Sequence, residues 1–184
     1  DVELGIAFFL DGKEEKVIEK GVTYYPLRFP KHSWKEKAQA FICSANTLIV
    51  NERKRIPLYE EIIRKPLEDF KPDVIMVFGS EMPFGLVAGI TDIPVILHIQ
   101  GILNPYLNAY LPPFVSWKEY KSIGNGWKNR LHKRIERKIW MVSCARETEI
   151  CKRVMNYFGR TDWDYRVTQI LHPGANYLFA SEVL

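Results

Sequence analysis

Two stretches of this chain are apolar without alternation. VIMVF at 74–78 and PVILHI at 94–99 each follow a proline-containing start and run into glycine, at Gly79 and Gly101. A strand with one wet face would alternate, so continuous runs of this length predict strands buried on both sides, as in a parallel sheet. Upstream, VELGIAFFL at 2–10 reads as a strand closed by Asp11-Gly12. Residues 16–19 and 22–27 read as an antiparallel pair about Lys20-Gly21, with Pro26 marking a sheet edge. Downstream, NYFGRT at 156–161 and NYLFAS at 176–181 read as two more strands.

Helical spacing fills the intervals. Leu58, Ile62, Ile63, Leu67 and Phe70 recur on one face, with a kink expected at Pro66. WKEKAQAFI at 34–42 fits a helix, and the rest of 29–56 reads as a loop or a second helix. GSEMPFGLVAGI at 79–90 is a turn leading into a short helix. A long helical tract covers 127–154, with Leu131, Ile135, Ile139 and Val142 in one stripe and Lys133, Arg134 and Arg137 opposite. TDWDYRVTQ is a helix capped by Thr161 or Asp162, with Trp163 expected against the sheet. Helix and strand thus alternate with short connections, which describes βαβ units with right-handed crossovers. The predicted fold is a three-layer, Rossmann-like α/β sandwich with a largely parallel sheet, one domain across 1–184.

Composition narrows this. With 184 residues, 47% hydrophobic and 26% charged, the chain can bury a core of its own and is neither collagenous nor disordered. Neither apolar run approaches the roughly 20 residues of a membrane span. Cys43, Cys144 and Cys151 form no CxxC pair, which suits a reducing cytoplasm. Cys144 and Cys151, seven apart, share a helix face and read as small buried residues. The net charge of +4 is local: residues 127–140 (WKNRLHKRIERKIW) hold six basic side chains and one acidic. That segment reads as a solvated face, or as a peripheral contact with anionic membrane flanked by Trp127 and Trp140. No nucleic-acid partner is expected, because aromatic residues do not interleave the charges.

In open α/β sheets ligands bind beyond the carboxyl ends of the strands. There stand Gly79, Ser80 and Glu81 after the first buried run, Gln100 and Gly101 after the second, and Arg160 and Thr161 after the third. Such groups can hydrogen-bond a sugar's hydroxyls, and Arg160 can meet an anion in a bidentate way or pair with Asp164. Each also reads as a turn or cap residue. Gly159 is expected to let the chain leave its strand. His98 and Gln100 project to the same side of their strand. No GxGxxG, GxxxxGK[ST] or GxSxG occurs, and the four histidines lack metal-ligand spacing, so no metal is expected. An epimerase would show a glycine fingerprint and a receiver domain an acidic cluster; Asp11 stands alone after the first strand.

The succession KPDVIMVFGSE, IPVILHIQG, FGRTDWDYR and a strand with Tyr177 followed by Glu182 resembles family-4 glycosyltransferases. The likeness, to the N-terminal domain of enzymes that build bacterial surface polysaccharides, spans roughly residues 57–184, with ELGIAF and GVTYYPL supporting it upstream. It implies the N-terminal half of a GT-B fold that holds a glycan or lipid-linked acceptor in the cytoplasm or at the inner face of the membrane. A nucleotide-sugar donor would bind mainly to a C-terminal domain, with retention of configuration and no divalent metal. Residues 1–184 would then be a piece truncated at both ends and inactive alone. The place often held by a catalytic histidine falls at Gln100, with His98 two residues earlier; glutamine can orient a hydroxyl but cannot take its proton near pH 7. The alternative class is a non-catalytic Rossmann-like binding or regulatory module.

Overall fold

The strands read from the sequence do form, but in two sheets. In the computed structural model, which describes residues 2–12, 15–124 and 126–180, β1 (Leu4–Phe9), β2 (Val17–Glu19) and β3 (Val22–Leu27) make one sheet. Its order is β1-β3-β2, with β1 parallel and β2 antiparallel to β3. The second sheet takes β4 (Ile75–Phe78), β5 (Val95–His98), β6 (Asn156–Gly159) and β7 (Asn176–Phe179) in sequence order, all parallel. The chain therefore has a Rossmann-like α/β fold with a largely parallel sheet.

Pro26 lies in the middle strand of its sheet, not at an edge. β2 pairs with Val22–Tyr24 and stops there, so the missing N–H of Pro26 falls beyond the end of the ladder, where no partner needs it.

Two helices occupy the stretch left open before residue 57. The first, α1 (Trp34–Ile42), begins at a capping box in which Ser33 and Glu36 satisfy each other's backbone N–H. After a break at Cys43, α2 (Ala45–Phe70) starts on the Ser44 cap and continues through both Pro57 and Pro66. Each proline removes one i→i−4 bond, and burial on one side compensates: Ile56, Tyr59, Ile63 and Pro66 recur at three- and four-residue steps and are buried.

A 3₁₀ helix (Pro83–Gly89) joins β4 to β5. Between β5 and β6 come α3 (Leu103–Asn108), α4 (Trp117–Ser122) and α5 (Trp127–Cys151), and α6 (Asp162–Leu171) joins β6 to β7. One core holds the helices to the parallel sheet, with Tyr59, Leu86, Leu97, Ile150 and Val154 at its centre.

The expected apolar stripe of α5 is corrected by the structure. Ile139 is 55% exposed, and the buried face lies nearer the carboxyl end, at Cys144, Glu147, Ile150 and Cys151. The first half of α5 packs through its cations: Lys133 Nζ donates to the carbonyls of Tyr120 at 2.7 Å and Ile123 at 2.6 Å, and the Arg137 guanidinium lies 4.8 Å from the Trp117 ring centre. Lys138 Nζ donates to the Cys43 carbonyl at 2.7 Å and the Ala40 carbonyl at 3.2 Å, closing the carboxyl end of α1. Trp163 is likewise not a core residue; its indole is 47% exposed on α6.

Candidate ligand site at the strand ends

The loops after β4, β5 and β6 meet at one end of the sheet. Gly79 takes φ +79°, a left-handed turn that swings the chain out of β4, and a Cβ there would strike the Glu81 carboxylate. Glu81 folds back over the turn and also lies across the backbone of Gly101, where a Cβ would stand 3.3 Å from Oε1. Glycine at both positions is what lets the carboxylate rest against the strand ends.

Arg146 of α5 fixes this loop from beneath. Its Nη2 donates to the Glu81 carbonyl at 2.8 Å while Nη1 pairs with Glu52 at 2.6 Å. Glu52 and Arg146 are both nearly buried, and Tyr59 Oη donates to the same Glu52 oxygen at 3.1 Å. A bridge so screened from water holds its geometry far better than an exposed one.

Ser80 turns inward instead of toward a ligand. Its hydroxyl is buried and donates to Glu147, within reach of the Gly101 carbonyl at 3.3 Å. Glu147 has no exposed surface and accepts from four donors: Ser80 Oγ, the backbone N–H groups of Leu103 and Asn104, both at 2.8 Å, and Asn104 Nδ2 at 2.7 Å. It ties the turn after β4 and the start of α3 to α5.

Beyond β5 the strand ends at His98, and Gln100 stands exposed in the turn that follows. The Gln100 side-chain amide nitrogen lies 3.3 Å from His98 Nδ1. His98 is 9% exposed between the rings of Phe78 and Phe158, and its Nε2 is buried without a hydrogen-bond partner among the described residues.

Beyond β6, the Arg160 guanidinium donates to the Gln100 carbonyl at 3.4 Å. Asp164 accepts instead from the backbone N–H groups of Arg160 and Thr161, both at 3.0 Å, as the second half of a capping box with Thr161. Thr161 is the cap that the sequence left open between it and Asp162. Gly159 has a different role from the turn expected of it: a Cβ there would strike the Tyr177 ring, whose hydroxyl donates to the Thr161 carbonyl at 2.9 Å. Glu182 lies outside the described residues.

The seven predicted ligand residues thus divide. Glu81, Gln100 and Arg160 present polar side chains at one end of three adjacent strands; Gly79 and Gly101 make room for them. Ser80 and Thr161 hold the loops. Sequence reasoning missed Arg146, Glu147, Glu52 and Asn104. Spacing could have found Glu147, since it shares a helix face with Cys144, Ile150 and Cys151, and a carboxylate on an apolar stripe implies buried donors. Among the described residues no group of three His, Cys, Asp or Glu side chains is placed to hold a metal ion.

No protein-family model, curated protein or solved structure matches the chain. The arrangement itself offers a carboxylate that accepts, a carboxamide that does both, and a cation. Together these suit a neutral or anionic ligand rich in hydroxyls.

Proposed function

We propose that this chain is the acceptor-side domain of a retaining GT-B glycosyltransferase acting on a glycan or lipid-linked acceptor. The observation that carries the reading is the meeting of Glu81, Gln100 and Arg160 at the carboxyl ends of three neighbouring parallel strands, over glycine backbone. That end of an open α/β sheet is where ligands bind, and Gln100 stands there at the place where the family resemblance implies a catalytic histidine.

In this reading Glu81 accepts from an acceptor hydroxyl, Gln100 orients a second one, and Arg160 meets an anionic group of the acceptor. Gln100, a carboxamide, cannot take a proton near pH 7 and serves position, not proton transfer. The nucleotide-sugar donor belongs mainly to a second domain, so the 184 residues alone do not transfer sugar. A peripheral contact with anionic membrane fits the exposed Trp127, Lys128, Arg130 and Arg134 at the start of α5. No helix among the described residues is long and apolar enough to cross a membrane.

The test is transfer by the protein encoded by the complete reading frame, with a panel of nucleotide sugars and saccharide acceptors. Gln100→Ala is expected to lower turnover about 10-fold or more with an unchanged melting temperature, as loss of a positioning group does. An unchanged rate would remove Gln100 from the site. No transfer to any acceptor by the intact protein would favour a non-catalytic binding module.

A further inference from the structure

The polar groups at the strand ends have an aromatic neighbour. Gly101 is the floor they share with it: a Cβ built there would stand 3.3 Å from Glu81 Oε1 and 3.7 Å from Tyr106 Cε2. The other carboxylate oxygen of Glu81 lies over Gly79, so one carboxylate spans the turns after β4 and β5, and the Tyr106 ring, from α3, borders it. Tyr106 is 55% exposed. Among the described residues its ring stacks on no other ring, its hydroxyl has no hydrogen-bond partner, and nothing donates to the Glu81 carboxylate.

One buried side chain holds both groups in place. Glu147 accepts from Ser80, the residue before Glu81, and from the first turn of α3, through the N–H groups of Leu103 and Asn104 and the Asn104 side chain. Pro105 comes next and has no N–H to place. Tyr106 follows on a helix start that is therefore fixed to α5. On the other side of Gly101, Arg146 of the same helix holds the Glu81 carbonyl at 2.8 Å. Carboxylate and ring are set by the fold before any ligand arrives, so a ligand that meets both spends little on ordering them.

A carboxylate beside an exposed ring suits two kinds of ligand. One is a cation, which the Arg160 guanidinium disfavours from its place on the Gln100 carbonyl, one residue from Gly101. The other is a pyranose. Its hydroxyls lie around the rim and C–H bonds cover its faces, so an edge can donate to a carboxylate while a face lies on an aromatic ring. We infer that Tyr106 is the stacking platform of the strand-end site, and that the unit bound there is a pyranose with a C–H face on Tyr106 and neighbouring ring hydroxyls on Glu81. This rests on the acceptor reading above and deepens it, because it selects a ring over a linear polyol of equal hydroxyl content. Tyr106 supplies contact and specificity and moves no proton.

NMR on the 184-residue chain tests it, with the methyl pyranosides of glucose, galactose and mannose as probes, sorbitol as the polyol without a ring, and tetramethylammonium as the cation. Affinity is read from the amides of 79–81 and 100–101, and stacking from saturation transfer between protein aromatic protons and sugar C–H protons. At least one pyranoside is expected to bind with transfer to the protons of one face, and sorbitol at least about 10-fold more weakly. Tyr106→Ala is expected to weaken that pyranoside about 10-fold and to remove the transfer at an unchanged Tm, whereas Tyr106→Phe keeps both. A pyranoside affinity that Tyr106→Ala leaves unchanged, or equal affinity for sorbitol, would overturn the platform and leave the acceptor reading standing. No shift at these loops with any pyranoside would overturn both, and a response to tetramethylammonium alone would assign the carboxylate and ring to a cation.

Discussion

Glu147 holds both the backbone N–H of Asn104, at 2.8 Å, and its side-chain amide, at 2.7 Å, from a position with no exposed surface. One carboxylate thereby closes the amino end of α3 and, through Ser80, anchors the turn after β4. Glu147→Ala leaves Ser80, Leu103 and Asn104 with buried donors and no acceptor, a loss of about 3 kcal/mol or more. Urea denaturation checks it: the midpoint should fall sharply, while a shift worth less than about 0.5 kcal/mol would show that the loops reorganise around the loss.

Gly79 and Glu81 should be coupled. In Gly79→Ala the positive φ costs about 1 kcal/mol, and the new methyl also displaces the Glu81 carboxylate. In a Glu81→Ala background only the backbone penalty remains. A double-mutant cycle is expected to give a coupling of at least about 0.5 kcal/mol. Strict additivity would mean that Glu81 does not rest against the turn in solution.

The three thiols should separate by reactivity. Burial, reinforced by the Glu147 carboxylate, pushes the Cys144 thiol up to about 11 and the Cys151 thiol up to about 12, while Cys43 is partly exposed. The neutral thiol is the favoured folded form. The stability this contributes is whole below the unfolded thiol range near 9 and is lost as pH rises from there toward 11 and 12. Alkylation at pH 8 should modify Cys43 alone, and all three after unfolding, by mass spectrometry. Rapid native labelling of Cys151 would contradict the packing of α5.

What the sequence disclosed follows from how locally each feature is encoded. The strands at 75–78 and 95–98 announce themselves as continuous apolar runs, and α6 by a capping residue at Thr161 or Asp162. α2 was half hidden because the rest of 29–56 reads equally as a loop or a second helix and Pro66 as a kink, whereas burial of one face sustains one helix through both Pro57 and Pro66. The packing of α5 was misread because Lys133, Arg137 and Lys138 make tertiary contacts through carbonyls and a ring that no helical wheel displays. At the strand ends, the rule points to Glu81, Gln100 and Arg160. It could not separate them from Ser80, whose inward turn depends on a carboxylate 67 residues away. The split into two sheets is non-local too, since strand periodicity carries no record of neighbours.

With Lys133 and Lys138 engaged inside the fold, the free charge of α5 is concentrated in Lys128, Arg130 and Arg134 beside Trp127. Flotation with vesicles containing anionic lipid should carry the protein up at low salt and not with neutral lipid. Replacing these three residues by Glu should abolish the effect without altering the Tm. Equal flotation of the triple variant would place any membrane contact elsewhere.

The strand ends as a saccharide site can be tested directly by titrating the 184-residue chain with a panel of saccharides and anionic glycans while following backbone amide shifts. The expected result is a saturable set of shifts confined to 79–81, 100–101 and 160–161, weakened about 10-fold by Arg160→Lys for an anionic glycan because lysine lacks the planar fork. Shifts that saturate at another surface, or none at these loops with any saccharide, would contradict the account.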